Sequence, residues 1–294
     1  MIGPGARLGD YALVARLGAG GQGVVFLALP WAEGAARRAA EALLLRALLR
    51  AGRLTRRLAA RRRLAALKVA RPAMADSLHD EHGHLAGPGA GHPHLAALYR
   101  ARFPQAPGPD LALARAQGER APLLTLALAY EVGAPLSRCL ARRGARPPDL
   151  AWALAVAGQV ARALAHLHGR GVVHHDVRPA NVIVGPGPRA VLIDLGAAVA
   201  AGGPLRGGVY GAPAWLPPER LGPRPAPASP LVDIYAMGGL LRAMVAGSAS
   251  PGLCRLIDEA LAPDPARRGA ALPSAEALIA RLDGLAGRSG LAAR

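Results

Sequence analysis

Val173-His174-His175-Asp176-Val177-Arg178-Pro179-Ala180-Asn181, followed by the apolar runs Val182-Ile183-Val184 and Val191-Leu192-Ile193 and then by Asp194-Leu195-Gly196, is the stretch on which the reading of this chain turns. It sets two carboxylates, an arginine and a carboxamide among short runs of core-forming residues. Asn181 is the single asparagine in 294 residues, and Lys68 is the single lysine. The rest of the chain is rich in Ala, Arg, Gly, Leu and Pro and poor in Ile and Phe, as a strongly GC-biased coding sequence would make it. A pressure that removed lysine and asparagine elsewhere spared these two. Each is therefore expected where neither arginine nor aspartate can do the work, since a compact ammonium and a forked guanidinium are not interchangeable.

The same bias bounds the function classes. The formal net charge of +17 is carried almost wholly by arginine. It admits an anionic partner, but the basic residues are not interleaved with aromatics as base-stacking platforms require, so nucleic-acid binding is disfavoured and compositional drift preferred. Cys139 and Cys254 are far apart and have no ligand spacing around them, which points to ordinary buried thiols and away from a disulfide framework or a zinc site. No leader pattern precedes Gly20 and no apolar stretch is expected to be long enough to span a bilayer; a mean hydropathy of +0.22 comes from alanine and leucine scattered among arginines. A cytoplasmic protein is expected.

Outward from the central stretch, apolar alternation marks strands at Tyr11 to Leu17 and Val24 to Leu29 around a glycine-dense turn, and a third at Leu64 to Ala70. Between them, Trp31 to Arg63 has helical spacing (Leu43, Leu44, Ala47, Leu48, then Leu54, Leu58) and reads as a basic helical insertion. A short helix is expected over Asp76 to Leu85, closed by Gly87-Pro88-Gly89. Two more strands are expected at Leu95 to Phe103 and Leu123 to Tyr130, joined by a Pro/Gly-rich loop from Pro104 to Pro122. From Leu136 the pattern is helical, with long apolar helices over Ala151 to His168 and Leu231 to Val245 and shorter ones over Leu253 to Leu261 and Ser274 to Leu282. Antiparallel strands first and helices after imply a two-lobed α+β protein.

The turn Gly18-Ala19-Gly20-Gly21-Gln22-Gly23-Val24-Val25 lets backbone N–H groups approach a polyphosphate. Strand follows strand there, which argues against a dinucleotide fold, where the glycines lead into a helix. At the central stretch the spacing resembles the protein-kinase catalytic loop H-R-D-x-x-x-x-N and, at Asp194-Leu195-Gly196, the D-F-G motif. The chain is similar to bacterial eukaryotic-like serine/threonine protein kinases from about Tyr11 to Leu282. That resemblance implies a bilobal kinase-like fold with an antiparallel β N-lobe at about 9–129 carrying one main helix, a hinge at about 129–134, a helical C-lobe at about 135–285, and ATP with magnesium as cofactors. It implies Asp176 as the base that accepts the hydroxyl proton, Asn181 and Asp194 as magnesium ligands, and Lys68, in Ala65-Ala66-Leu67-Lys68, on the α- and β-phosphates. Glu81 would pair with Lys68, Asp80 being a poorer choice, and Arg178 would keep a positive charge near the γ-phosphate. Gly18, Gly20, Gly23, Val25, Ala66, gatekeeper Leu128 and hinge residues Tyr130 and Glu131 would contact the nucleotide. Asp233, in Asp233-Ile-Tyr-Ala-Met-Gly238, would anchor the catalytic-loop backbone, and Arg268 would pair with Glu219.

Several positions depart from the family's pattern. His175 replaces the arginine that an activation-loop phosphate grips, and Asp194 to Glu219 contains no serine or threonine, only Tyr210. The two losses fit an enzyme that needs no activation-loop phosphorylation. Ala212 replaces a threonine that orients the base. The short path from Val245 to Pro251 suggests a reduced peptide-docking region, so a protein substrate would be held differently. The insertion reads either as a docking helix for an acidic partner or membrane surface, or as a solvated excursion. His79, His82, His84, His92 and His94 lack the carboxylate or thiol that would complete a metal set, His174 is expected to pack in the core, and His166 and His168 to cap or pack their helix. A nucleotide-binding pseudokinase or scaffold, and a small-molecule phosphotransferase, are the alternatives.

Overall fold

The computed structural model describes residues 3–20, 23–31, 35–71, 74–87, 89–102, 124–143, 149–203, 212–222, 226–245 and 250–288. Gly21, Gln22, the loop from Pro104 to Pro122 and Tyr210 lie outside them. The chain divides into two compact units, Met1–Pro88 with Ala97–Val132, and Gly89–Ala96 with Gly133–Arg294. The stretch 89–96, expected with the first lobe, belongs to the second. Its backbone holds it there: Leu192 N–H donates to His94 O at 2.8 Å and Ala96 N–H donates to Leu192 O at 2.9 Å.

The first unit is an antiparallel sheet in the order β1 (Arg7–Leu8), β2 (Tyr11–Ala19), β3 (Gly23–Pro30), β4 (Ala65–Ala70), β6 (Thr125–Ala129), β5 (Leu98–Arg102). Strand alternation sends Leu13, Phe26, Ala28, Ala65, Leu67, Val69 and Ala127 to one face. Val14, Leu27, Leu29 and Leu64 go to the other, where they pack with Leu45, Leu54 and Ala59 from the insertion. The insertion folds as α1 (Ala35–Arg50) and α2 (Arg56–Arg61), the latter capped by Thr55, whose hydroxyl accepts from Leu58 N. It is therefore no solvated excursion. Leu45 is 2% exposed, and burying one such leucine stabilises by roughly 2 kcal/mol. Helix α3 (Ala75–Ala86) presents Leu78, Glu81 and Leu85, at helical spacing, as its buried stripe.

The second unit is built around α5 (Leu150–Gly169), capped at Asp149 and packed against α6 (Pro230–Val245) and α9 (Ala275–Arg288). Contrary to the expectation that no apolar stretch is long enough to span a bilayer, α5 has the length and hydropathy of such a span, alone among the described residues. Its Val156, Ala157, Val160, Ala161, Ala163, Leu164 and Leu167 are fully buried, so its apolarity belongs to the protein core. Helices α4 (Leu136–Arg143), α7 (Pro251–Ala260) and α8 (Pro265–Ala271) complete the helical part. Cys139 in α4 is half-buried and Cys254 in α7 is exposed, so neither is the buried thiol expected, because each falls off the buried side of its helix. Short strands decorate it: β9 (Val182–Val184) pairs with β10 (Ala190–Leu192) and with β7 (Ala134–Pro135), and β8 (Val172–Val173) pairs with β11 (Val199–Ala200).

Candidate active site

In the first unit, cross-strand register puts several expected nucleotide contacts on one face. Val25 lies opposite Lys68 and Ala66 opposite Leu128, so Val25, Ala66, Lys68 and Leu128 point the same way across β3, β4 and β6. Lys68, 7% exposed, donates from Nζ to Oε2 of fully buried Glu81 at 2.6 Å. A buried acid and a buried base each need a partner, and here they are each other's. The turn before β3 closes with Gly20 and Gly23 exchanging backbone hydrogen bonds at 2.9 and 3.3 Å. A Cβ on Gly18 or Gly20 would meet nothing within 4 Å, whereas one on Gly23 would stand 2.1 Å from the carbonyl oxygen of Val69. The first two glycines thus leave a bare, open backbone, while the third is required by the sheet itself. Tyr130 N–H donates to Leu64 O at 2.9 Å, and burial raises the Tyr130 phenol pKa. Glu131 is half-buried beside it.

In the second unit, the β9–β10 hairpin does the positioning. Antiparallel pairing sets Val182 opposite Leu192, so the residue before β9, Asn181, and the residues after β10 meet at one end. The Ile193 N–H donates to Asn181 O at 2.9 Å, which ties Asn181 to the residue preceding Asp194. Asp194 has φ +68, a left-handed conformation that an aspartate tolerates, and its Oδ1 accepts from Gly196 N at 3.3 Å. The Asn181 amide donates Nδ2 to the Asp176 carboxylate at 2.6 Å and to the Asp176 carbonyl at 2.9 Å, which directs its own carbonyl oxygen away from the acid. Asp176 accepts further from Arg178 Nε at 3.1 Å and from the Ala212 backbone N–H at 3.0 Å. The missing threonine hydroxyl at position 212 is thus met by a main-chain donor to the same carboxylate.

The loop before Asp176 hangs on one buried acid. Asp233, in the first turn of α6 and fully buried, accepts from His174 N at 2.8 Å, His175 N at 2.9 Å and His168 Nε2 at 2.8 Å. Burial pushes the Asp233 carboxyl up, but the His168 hydrogen bond and the neighbouring imidazoles more than offset this, and its pKa lies below the ordinary carboxylate value. His168 is thus a tether and not a cap, and the spacing of 65 residues to Asp233 hid the pair from sequence reasoning. His174 is wholly buried, as expected, and its Nδ1 accepts from Asp176 N at 3.3 Å. His175, 2% exposed at φ +65, faces the Arg220 guanidinium at 3.4 Å, and desolvation holds its pKa down to about 4. Glu219 grips Arg268, which is fully buried and lies 5.2 Å from the Tyr235 ring centroid. His92 stacks on His166 at 5.0 Å and His94 Nδ1 lies 3.0 Å from Ala190 O. No group of three metal-binding side chains occurs among the described residues.

A family model described as the protein kinase domain matches residues 119–268, just over half of the chain. The serine/threonine-protein kinase PknD of Chlamydia pneumoniae is 32% identical over 111 residues, 31% of this chain and 12% of that one. PknL of Mycobacterium tuberculosis is 34% identical over 118 residues, 39% of this chain and 29% of that one. The matched stretches thus span less than a third of either relative. The crystal structure of the Mycobacterium tuberculosis PknI kinase domain superposes with a TM-score of 0.61 at 21% identity, covering 97% of this chain and 99% of that domain. A variant of the same domain superposes with a TM-score of 0.62.

Proposed function

The chain belongs to the protein kinase family, and we propose that it is an ATP- and magnesium-dependent kinase that phosphorylates serine or threonine hydroxyls of a protein without activation-loop phosphorylation. One observation carries this reading: Asp176 and Asn181 are hydrogen-bonded to each other at the end of the hairpin that also leads into Asp194. Asn181 and Asp194 supply one neutral and one anionic oxygen, a donor set suited to a hard divalent cation beside phosphates. When bound, that cation neutralises charge developing on the transferred phosphoryl group. Lys68, held by Glu81, places an ammonium on the face that also carries Val25, Ala66 and Leu128, and the open backbone at Gly18 and Gly20 suits phosphate oxygens. Tyr130 and Glu131, directly after β6, would contact the base of the nucleotide.

Asp176 accepts the proton of the attacking hydroxyl, with Ala212 N–H, Arg178 and Asn181 fixing its carboxylate. Phosphorylation independence is supported by the neutral, buried His175, which removes the cation that an arginine at this position would offer a phosphate. The test is transfer of labelled phosphate from magnesium-ATP to a generic protein acceptor, followed by identification of the phosphorylated amino acid. Asp176→Asn is expected to lower turnover by about 10³-fold, within the range for a lost general base, with nucleotide binding retained. Phosphate on a small metabolite and none on protein, or nucleotide binding without turnover in the unmodified chain, would overturn it.

A further inference from the structure

The insertion has a second face that the core does not use. At 100° per residue, the inward side of α1 carries Ala42, Leu45 and Leu49, and the opposite side carries Ala40, Leu43, Leu44 and Ala47. Leu43 and Leu44 are 67% and 57% exposed. Around the helix this apolar ridge lies between Arg46 and Arg50 on one flank and Glu41 on the other, where Arg62 grips Glu41 at 2.5 Å. Helix α2 buries Ala59 and turns Arg56, Arg57 and Arg61 outward. Beside α1 a cavity of about 310 Å³ is lined by Arg16, Arg46 and Arg50 and otherwise by apolar side chains, with no carboxylate.

We propose that this α1–α2 face docks on an anionic lipid bilayer, with Leu43 and Leu44 entering the headgroup boundary, the flanking arginines meeting lipid phosphates, and one headgroup phosphate seated among Arg16, Arg46 and Arg50. The inference stands apart from the catalytic reading. An exposed apolar ridge bordered by unneutralised guanidinium groups is the chemistry of an interfacial helix. Six of the eleven residues from Arg53 to Arg63 are arginine, and among the described residues Arg50, Arg53, Arg56, Arg57 and Arg61 form no ion pair with an acid. From residue 39 to 63 the other polar side chains are Glu41, held by Arg62, and Thr55, spent on capping α2. The face therefore offers charge and apolar area with no directional donors besides guanidinium, which suits a fluid anionic surface better than a specific acidic peptide. It has no aromatic on which bases could stack, and a net charge of +17 opposes pairing with a second copy.

Co-sedimentation of the full chain with vesicles tests this. Binding is expected to vesicles of phosphatidylcholine mixed with phosphatidylglycerol, not to phosphatidylcholine alone, and is expected to weaken as salt rises. Leu43→Gln with Leu44→Gln should lower the partition coefficient about tenfold. Arg56→Gln with Arg57→Gln should lower it about thirtyfold, at ~1 kcal/mol for each cation near the surface. All four side chains are exposed, thermal unfolding checks that each variant folds, and the lipid and salt dependence of the unmodified chain stands without any variant. Equal pelleting with both vesicle types, no pelleting with either, or a leucine variant that binds anionic vesicles as well as the parent would overturn the proposal. In the last case, matching retention on poly-glutamate or nucleic acid would reassign the face to a soluble polyanion.

Discussion

His175 ties the stability of the catalytic loop to pH. Its folded pKa is about 4, against 6.5 for a free imidazole, because desolvation and the Arg220 and His174 charges outweigh the attraction of Asp233. A base with a depressed folded pKa binds its proton more readily in the unfolded chain. The stability it protects is present above pH 6.5 and is lost as pH falls from there to about 4, by about 3 kcal/mol in all. The Asp233 carboxylate loses its contribution only below the ordinary carboxylate range, so the two windows separate. Urea midpoints measured from pH 7 to pH 4 are expected to fall, and His175→Asn, a neutral residue that tolerates φ +65, should flatten that slope whatever it does to stability at pH 7. An unchanged slope would remove His175 as the source. The residue scale was also where the sequence spoke most clearly. Lys68 and Asn181 stood out because composition had emptied the chain of their kind, and each is found hydrogen-bonded to an acid, Glu81 and Asp176. Asp233 was marked only by the motif around it, as the anchor that the His174 and His175 N–H groups now identify, and His168 gave no signal at all, because nothing local marks a tether 65 residues long.

At the scale of elements, the three glycines before and at the start of β3 separate into two kinds. Gly23 is fixed by the sheet: a Cβ there would overlap the Val69 carbonyl, a backbone atom that cannot step aside without breaking the β3–β4 pairing. Gly23→Ala is expected to cost about 2–3 kcal/mol of stability, readable as a lowered unfolding midpoint. Gly18→Ala and Gly20→Ala have open space for the methyl group and should leave that midpoint within about 0.5–1 kcal/mol, while raising the KM for ATP. Three variants with the same stability loss would contradict the assignment. The long strands and helices were legible because apolar periodicity has room to repeat in them. The strands β7 to β11, of two or three residues each, were not, since a period of two cannot be read in so short a run and their pairing is decided by distant partners. The insertion was legible as helical but not as part of the core. Its arginines dominate the composition, and only the packing identifies Leu45, Leu54 and Ala59 as the residues facing the sheet.

For the molecule as a whole, the charge balance sets a constraint that no rearrangement of pairs removes. There are 36 basic residues and 19 acidic ones, so if every acid held one base, 17 cations would remain without a partner. The tightest pairs, Lys68 with Glu81 and Arg268 with Glu219, involve buried groups, and salt screens them little. The surplus is mainly at the surface, where like charges repel across distances that salt governs: the Debye length is about 30 Å at 0.01 M and about 8 Å at 0.15 M. Raising sodium chloride over that range weakens the repulsion in the compact state more than it weakens the few exposed ion pairs, such as Arg100 with Asp10 and Arg162 with Asp283. The thermal midpoint is therefore expected to rise with salt, by at least ~2 °C, the shift that about 1 kcal/mol produces in a chain of this size. Differential scanning calorimetry at the two salt concentrations decides it. A midpoint that falls would mean that exposed ion pairs, and not the unpartnered arginines, dominate the electrostatics of the folded chain.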